Sequence, residues 1–408
     1  FARAFEEDRD WLRILPPHEQ PRATEYIGPM IGLIEDLLDK GVAYRGEDGS
    51  VYFAIAKFPA YGRLSQLDRR ELKAGASERV SADEYAKEDA RDFVLWKAAK
   101  PEDEAVGAAW DAPFGRGRPG WHIECSAMAL ELIRSRLGVD VLDIHVGGVD
   151  LIFPHHEDEI AQSCASTGRD EFARYWLHGE FLNIRGAKMS KRFGNITTAR
   201  DLREDGVDPA AVRLLMFQVH YRQKLDLTDE GLASAQEGSR RLGEFQRRLR
   251  DAAGEADGAA LLAAAERLSA DFTAAMNDDL GAPQAVAALF AFVTAGNGLL
   301  DAGDLPGPRT LAVWNRVEGV LGVASEVRAV RVTGADPAGG ATELAETPPQ
   351  KGAEEWARAW ALRRKHAKAD RNYAEADRIR ALLRAAGWEV RDNKDGSIEV
   401  VGTRTVAS

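Results

Sequence analysis

A buried strand that follows a helix is the feature of this sequence that most constrains its fold. Residues 122–136 have helical periodicity, and the run VDVLDIHV at 139–146 is apolar and rich in β-branched residues. The run stops at Gly147-Gly148, a glycine pair that predicts a tight loop. Helix, buried strand and glycine loop in this order are typical of α/β proteins.

A second helix is predicted to open at Pro154, because proline is favoured in the first helical turn, and to end near Gly168. With the preceding strand it makes half of a doubly wound parallel sheet. Ligands of such sheets bind at the carboxyl ends of the strands. We therefore expect the functional site in the segment from His145 to Glu159.

Other parts of the chain have different patterns. A helix is predicted over 22–40 and a short strand over 49–55, whereas residues 60–100 have the pattern of an irregular, charged insertion. Residues 229–323 are rich in Ala, Leu, Arg and Glu with long amphipathic periods, which predicts a helical bundle. Residues 324–350 are rich in Gly, Pro and Thr, which is typical of a linker.

The composition excludes several classes of protein. Cys125 and Cys164 are the only two cysteines among 408 residues, so the fold does not depend on a disulfide framework and a reducing compartment is expected. The sequence contains no run of about 18 uninterrupted apolar residues, which a membrane span would need. The residues from Phe1 onward do not have the basic–apolar pattern of a secretory leader. The formal net charge of −12 means that any nucleic-acid contact relies on local basic patches.

The first candidate site combines GWHIECSAM at 120–128 with FPHHEDE at 153–159. His155 and Glu159 are four residues apart on the predicted helix and share one face, and Cys125 adds a thiol. Thiolate, imidazole and carboxylate suit zinc. The alternative is an ordinary helix start, where acids favour the N-terminus. His156 is three residues from Glu159 and also fits as the ligand.

The second candidate is the loop that contains Lys188 and Lys191. Two lysines three residues apart, on a segment that also holds Gly and Ser, form a cationic clamp suited to a polyphosphate. Basic loops more often simply face water, so the lysine spacing by itself is a weak signal. The literal string KMSKR at 188–192 is much stronger.

The third candidate is a basic helix in residues 356–384, where arginines and lysines outnumber acids. Such a helix is either a solvated surface or a contact for an RNA backbone, because phosphate binding needs only local cations. A similar stripe lies on the predicted bundle, formed by Arg240, Arg241, Arg247, Arg248 and Arg250.

Together these segments resemble the cysteinyl-tRNA synthetases, a family of class I enzymes. The resemblance covers nearly the whole chain as an ordered series: GWHIECSAM (120–128), DIHVGGVDLIFPHHEDEIAQS (143–163), KMSKRFGN (188–195), HYRQKLDLT (220–228) and NYAEADRIR (372–380). It implies a Rossmann-like parallel sheet, a helical bundle and a small C-terminal α+β unit. The domains that it implies are a catalytic domain at 1–194, a connecting region at 195–228, a tRNA-binding bundle at 229–323, a linker at 324–350 and an anticodon-recognition unit at 351–408.

The resemblance also assigns roles to residues. It implies that Cys125, His155 and Glu159 hold a zinc ion that takes the thiolate of the substrate cysteine. Trp121, His122 and Asp150 match substrate-binding positions of the family. The ATP site, with magnesium, is implied at Gly147, Gly148, Lys188, Ser190 and Lys191, where Lys188 and Lys191 hold the phosphates as the adenylate forms. The expected partners are tRNA(Cys), L-cysteine and ATP, for a cytoplasmic monomer that does not bind membranes.

One family feature is missing from the printed sequence. Members of the family begin with about a hundred further residues, which carry the first Rossmann strand, a His-x-Gly-His motif and a fourth zinc ligand. The sequence contains no such motif and no cysteine before Cys125. We expect this segment to precede Phe1 in a longer protein.

Two other functions remain as alternatives. A related ligase joins cysteine to an amino-sugar inositol in thiol biosynthesis, but the AEADRIR segment at 374–380 favours the tRNA enzyme. A non-catalytic RNA-binding fragment would also explain the basic helices. Pyrophosphate exchange that depends on cysteine and ATP separates this fragment from an enzyme.

Overall fold

The structure is a computed structural model that describes residues 1–66, 92–189, 196–332, 345–349, 353–393 and 397–403. The chain divides into two units. The site unit comprises residues 17–181 and 221–223, and the helical unit comprises residues 1–16, 182–220 and 224–408. Helix α1 (Ala2–Trp11) belongs to the helical unit.

The site unit alternates between helices and short strands. Its elements are α2 (Ile27–Asp39), β1 (Ala43–Arg45), β2 (Val51–Phe53), β3 (Phe93–Ala98), α3 (Pro101–Ala105), β4 (Gly117–Pro119), α4 (Trp121–Leu137), β5 (Leu142–Gly148), α5 (Glu157–Thr167) and β6 (Ala173–Gly179). Short 3-10 turns cover Ala23–Glu25, Ile55–Lys57 and Val149–Leu151. The helix predicted over 22–40 is confirmed as α2, which buries Met30, Ile34 and Leu37.

Strands β1 to β4 form one antiparallel sheet in chain order. β3 lies in the 60–100 segment, so the prediction of an irregular insertion was wrong for residues 93–98. Here the buried side chains of Leu95 and Trp96 outweigh the surrounding charges. A Cβ atom at Gly120 would lie 2.2 Å from the backbone oxygen of Val94. Only glycine therefore lets the start of α4 lie this close to β3.

Strands β5 and β6 pair in parallel, from Leu142 opposite Ala173 to Gly148 opposite Gly179. This pair confirms the parallel α/β arrangement expected from the sequence. The predicted helix start at Pro154 was wrong, because residues Ile152–His156 form a π turn and α5 begins at Glu157. Phe153 has extended dihedral angles (φ −138°, ψ 131°), as is common for a residue before proline.

The helical unit begins its second segment with a small sheet and then becomes mainly helical. Its elements after α1 are β7 (Leu182–Ile184), β8 (Ala187–Lys188), α6 (Ala199–Glu204), α7 (Pro209–Phe217), β9 (Leu225–Leu227), α8 (Asp229–Asp251), α9 (Ala259–Asn277), α10 (Ala282–Asp301), α11 (Pro308–Leu321), β10 (Val327–Val332), α12 (Ala353–Ala369), α13 (Tyr373–Ala385), β11 (Trp388–Asp392) and β12 (Ile398–Thr403). Helices α8 to α11 build the predicted bundle around a core that includes Leu242, Phe245, Leu289 and Trp314.

The C-terminal sheet has the order β10-β12-β11, with both pairs antiparallel. β11 and β12 are consecutive antiparallel strands, and residues 394–396 between them lie outside the described residues. β10 falls within the segment predicted to be a linker, so that prediction was wrong for residues 327–332. Its sequence VRAVRV contains three β-branched valines, which strands favour, and pairing with β12 completes the sheet.

Among the described residues, α10 is long and apolar enough to cross a membrane by length and composition alone. In the structure it is a bundle helix, with Val286, Leu289 and Phe292 buried in the core. The core helix of a bundle meets the same criteria of length and composition.

Candidate functional site

The three residues predicted as zinc ligands lie together in the site unit. One potential ligand atom from each of Cys125, His155 and Glu159 lies within 4.8 Å of the others. α4 carries Cys125, the π turn carries His155, and Glu159 lies in the first turn of α5. The turn before α5 brings the imidazole and the carboxylate together although the predicted helix start was wrong.

Glu159 is fully buried, and neither of its carboxylate oxygens has a hydrogen-bond partner within the described part of the chain. Its Oε2 lies 3.2 Å from Nε2 of His145 and 3.8 Å from Nε2 of His155. A buried carboxylate is costly unless a cation or hydrogen bonds compensate its charge. The orphaned oxygens of Glu159 therefore fit a metal ion beside this residue.

The thiol of Cys125 is half-buried, and burial is the main cause that raises its pKa to about 12. The nearby carboxylates of Glu159 and Glu124 raise the pKa further, because they repel a thiolate. The apo thiol is therefore protonated at neutral pH. A divalent cation reverses this preference, because a coordinating thiol is deprotonated.

His122 lies directly behind the candidate ligand His155. Nδ1 of His122 is 2.7 Å from Nδ1 of His155, and Nε2 of His122 is 3.3 Å from Oδ2 of Asp158. The Tyr61 hydroxyl in turn donates a hydrogen bond to Asp158. Burial lowers the pKa of His122 to about 3, so this imidazole is neutral at physiological pH.

Two adjacent acids at the start of α5 hold the turn at residues 61–65. Glu157 is fully buried and accepts hydrogen bonds from the backbone of Gly62 and from the backbone and hydroxyl of Ser65, at 2.8–2.9 Å. Burial and the charge of Asp158 raise the pKa of Tyr61 well above its ordinary value. These contacts fasten the turn to the helix that carries Glu159.

A second group, His145, His156 and Glu159, also has ligand atoms within 4.8 Å of one another. Nδ1 of His156 lies 2.8 Å from Nε2 of His178. Among the described residues, the group that contains the sulfur of Cys125 includes His155 rather than His156. Because sulfur favours zinc over harder cations, the group with Cys125 suits zinc better.

The other predicted site residues lie at two places. Trp121 is 60% exposed, and its ring centroid lies 4.5 Å from that of His155. Gly147 and Gly148 form the carboxyl end of β5, and Asp150 follows in the exposed 3-10 turn Val149–Leu151. A Cβ atom at Gly147 would lie 2.5 Å from the ring of His156, so this position requires glycine.

The predicted phosphate-binding loop is placed only in part. Lys188 lies in β8, where only its backbone is described. Ser190 and Lys191 lie outside the described residues. Their assignment to ATP stays a prediction.

The sequence patterns did not indicate a role for Tyr61, Glu157, Asp158 or His178. The acids were interpreted as favourable charges at a helix start, whereas both are buried and bind the 61–65 turn. A signal was present, because FPHHEDE places three consecutive acids after two histidines at the start of a predicted helix.

The architecture and the site define a class I aminoacyl-tRNA synthetase. Residues 1–237 match the family described as tRNA synthetases class I (C) catalytic domain, and residues 271–324 match the DALR domain. A solved structure of Mycobacterium tuberculosis methionyl-tRNA synthetase in complex with methionyl-adenylate has the same fold, with a TM-score of 0.51 and 17% identity, and covers 74% of this chain and 69% of its own.

Curated relatives narrow the assignment. The cysteine--tRNA ligase of Chlamydia pneumoniae is 43% identical over 401 residues, which are 97% of this chain and 78% of the relative. That of Synechococcus elongatus is 42% identical over 410 residues, with 97% and 79% covered. The chain belongs to the cysteine--tRNA ligase family, and the resemblance drawn from the sequence is confirmed. The relatives favour this family over the ligase of thiol biosynthesis.

Proposed function

We propose that this chain activates L-cysteine with ATP to cysteinyl-adenylate and transfers the cysteine to tRNA(Cys), with a zinc ion that selects the substrate thiol. The observation that carries the proposal is the group Cys125, His155 and Glu159, with ligand atoms within 4.8 Å of one another. Membership of the cysteine--tRNA ligase family supports the reaction.

In this proposal Cys125, His155 and Glu159 hold one zinc ion per chain. When bound, zinc supplies a sulfur-preferring Lewis acid that lowers the pKa of a thiol, so it favours cysteine over serine. The orphaned carboxylate of Glu159 and the thiol of Cys125 supply the negative charge that such a cation needs. Thiolate, imidazole and carboxylate are all ligand types of protein zinc sites, so this donor set fits zinc.

The surroundings of the three ligands support selection of a small substrate. Trp121 is exposed and its ring lies beside that of His155, so it offers an apolar wall to a substrate side chain. An apolar pocket alone separates close analogues by only about 1–3 kcal/mol. We therefore assign discrimination against serine to the ligand group and packing of the side chain to Trp121.

We assign ATP, with magnesium, to the carboxyl end of β5 and to the lysine loop. Gly147 and Gly148 end the strand without side chains that would block an approaching ligand. Asp150, in the exposed turn after them, is assigned to the substrate. Lys188, Ser190 and Lys191 would hold the phosphates, so that the carboxylate of cysteine attacks the α-phosphate while the cations stabilise the charge that develops.

The helical unit would bind tRNA. The bundle matches the DALR domain over residues 271–324, and α12, α13 and the turn between them expose Arg358, Arg371, Arg380 and Arg384. Phosphates bind to such cations without sequence preference. We assign anticodon recognition to residues 351–408 and propose that the enzyme acts as a monomer.

Cysteine-dependent exchange of pyrophosphate into ATP tests the proposal. We expect the native protein to catalyse exchange with cysteine far faster than with serine, and to aminoacylate tRNA(Cys). Lys191→Ala should slow adenylate formation in single turnovers and leave stability unchanged. Absence of exchange, with tRNA binding intact, would instead support a non-catalytic RNA-binding protein.

A further inference from the structure

We propose that His122 is a positioning residue that presents Nε2 of His155 to the metal, and that Asp158 and Tyr61 hold His122 in the orientation this requires. The inference rests on the proposed function, because it takes His155 as a zinc ligand. It differs from the role implied by resemblance, in which His122 contacts the substrate.

Hydrogen-bond partners fix which nitrogen of each imidazole carries the proton. Nε2 of His122 lies 3.3 Å from Oδ2 of Asp158, outside hydrogen-bond geometry, but the negative charge of this buried carboxylate favours the tautomer of His122 with its proton on Nε2. Nδ1 of a neutral His122 is then an acceptor. At 2.7 Å, Nδ1 of His155 must be the donor.

A proton on Nδ1 of His155 leaves the lone pair of its Nε2 available. This nitrogen lies 3.8 Å from Oε2 of Glu159, on the side of the ligand group. Histidine ligands of metals typically donate their second ring N–H to a partner that fixes the tautomer. Here the partner is another imidazole, backed by a buried carboxylate.

The far end of this hydrogen-bond chain is anchored in the 61–65 turn. Tyr61 donates to Asp158, while the neighbouring Glu157 binds the backbone of Gly62 and Ser65. Asp158 is itself 1% exposed. The turn thereby sets the direction of the carboxylate, and the carboxylate sets the tautomer of His122.

The geometry argues against a direct substrate contact for His122. Its Nδ1 is hydrogen-bonded to His155, its Nε2 faces the Asp158 carboxylate at 3.3 Å, and its side chain is only 15% exposed. A hydrogen bond to substrate would require breaking one of these contacts. Trp121, its exposed neighbour in α4, is the better placed of the two for substrate.

Zinc affinity measured by competition with a chromogenic chelator is the first test. His122→Phe keeps the ring shape and removes both nitrogens, so zinc should bind about 10- to 100-fold more weakly, as is typical when an outer partner of a ligand is lost. His122→Asn places an amide oxygen near the position of Nδ1 and should restore most of the affinity. His18→Phe, at an exposed histidine of the same unit, is the matched control.

The second test reads the tautomer directly in metal-free protein. Selective 15N labelling of the eight histidines gives long-range 15N–1H correlations that distinguish a proton on Nδ1 from one on Nε2. We expect His155 to carry its proton on Nδ1 in the wild type and in Tyr44→Phe. We expect a mixture of tautomers in His122→Phe, and partial loss of the preference in Tyr61→Phe.

The outcomes separate this inference from the proposed function. Wild-type protein that binds no zinc contradicts the proposed function, while the tautomer measurement still tests the hydrogen-bond chain. Wild-type protein that binds zinc, together with His122→Phe of unchanged affinity and unchanged His155 tautomer, overturns the inference alone. A proton on Nε2 of His155 in the wild type overturns it as well.

Discussion

Nη1 of Arg240 lies 2.9 Å from Oε2 of Glu389, which joins bundle helix α8 to strand β11 of the C-terminal sheet. A second pair, Arg247 with Glu399 at 3.2 Å, joins α8 to β12. From the sequence alone, this arginine stripe is either a solvated surface or a contact for an RNA backbone. The structure engages these two arginines with acids of the same unit, so their first role is to hold the C-terminal sheet against the bundle.

The two sets of arginines should therefore respond differently to substitution. Arg380→Ala, at an exposed position of α13, should weaken tRNA binding and lower the slope of log K against log salt by about one, since one phosphate contact is lost. Arg240→Ala should leave that slope unchanged and instead destabilise the unit by about 1 kcal/mol. Filter binding at several salt concentrations and urea unfolding measure the two effects. Equal slopes for both variants would contradict this division.

The ion pair of Arg364 with Asp392 predicts a pH-dependent contribution to stability. Arg364 is 8% exposed in its side chain and donates three hydrogen bonds to the two oxygens of Asp392 at 3.0–3.3 Å, and Lys368 donates a fourth at 2.8 Å. The hydrogen bonds from Arg364 are the main cause that lowers the pKa of Asp392, and the hydrogen bond from Lys368 lowers it further. Asp392→Asn should cost about 1 kcal/mol at pH 7, because Asp392 is half-exposed and solvent screens the pair.

The sign of the pH dependence follows from the lowered pKa of Asp392. The stabilisation is complete above the pKa that the carboxyl has in the unfolded chain, about 4, and is lost as pH falls through the lower folded pKa. The difference between wild type and Asp392→Asn should therefore vanish in acid. Amide hydrogen exchange in α12 and β11 measures this difference in stability. Asp377→Asn, at an exposed position of α13, is the control. A difference that stays constant as pH falls would refute the assignment.

Sequence patterns predicted the regular elements well where one pattern extended over many residues. The apolar run before Gly147 became β5, and the amphipathic periods of 229–323 became the bundle. β3 was not predicted because its neighbours are charged, and β10 because its neighbours are rich in Gly and Pro. Burial of Trp96 stabilises β3, and pairing with β12 stabilises β10. Local composition does not indicate which distant strands will pair.

Residue types and spacing predicted the ligand group, but they did not predict the residues that hold the ligands in place. Spacing placed Cys125, His155 and Glu159 as candidates, and the structure brings them together. The partners of those ligands come from distant segments, since Tyr61 is 97 residues from Asp158 and His122 is 33 from His155. Contacts of this kind require the folded backbone, because no periodicity in the sequence relates the two ends.

Trp121 should affect substrate binding more than stability. Trp121→Ala removes a ring that packs on His155, and aromatic contacts of this kind are worth about 0.5–1.5 kcal/mol. We expect KM for cysteine to rise about two- to tenfold, with a change in stability below about 0.5 kcal/mol because the residue is exposed. Trp121→Phe should restore most of the binding. Steady-state exchange kinetics measure KM for cysteine. An unchanged KM in Trp121→Ala would argue against a substrate contact of Trp121.

Substitution of the two cysteines separates the metal ligand from a buried core residue. Cys125→Ser should reduce bound zinc from about one ion per chain to near zero, because a hydroxyl is a much weaker ligand than a thiolate. Cys164→Ser should retain the metal, since Cys164 packs in the core of the site unit. Elemental analysis after gel filtration makes the comparison. Zinc retained by the Cys125 variant would remove this residue from the ligand set.

The central claim is that a metal ion held by Cys125, His155 and Glu159 takes the sulfur of the substrate. X-ray absorption at the zinc edge of the native protein, recorded with and without cysteine, tests it most directly. We predict that saturating cysteine adds one sulfur neighbour at about 2.3 Å, and that serine adds none. A sulfur count that stays the same on addition of cysteine would contradict the claim.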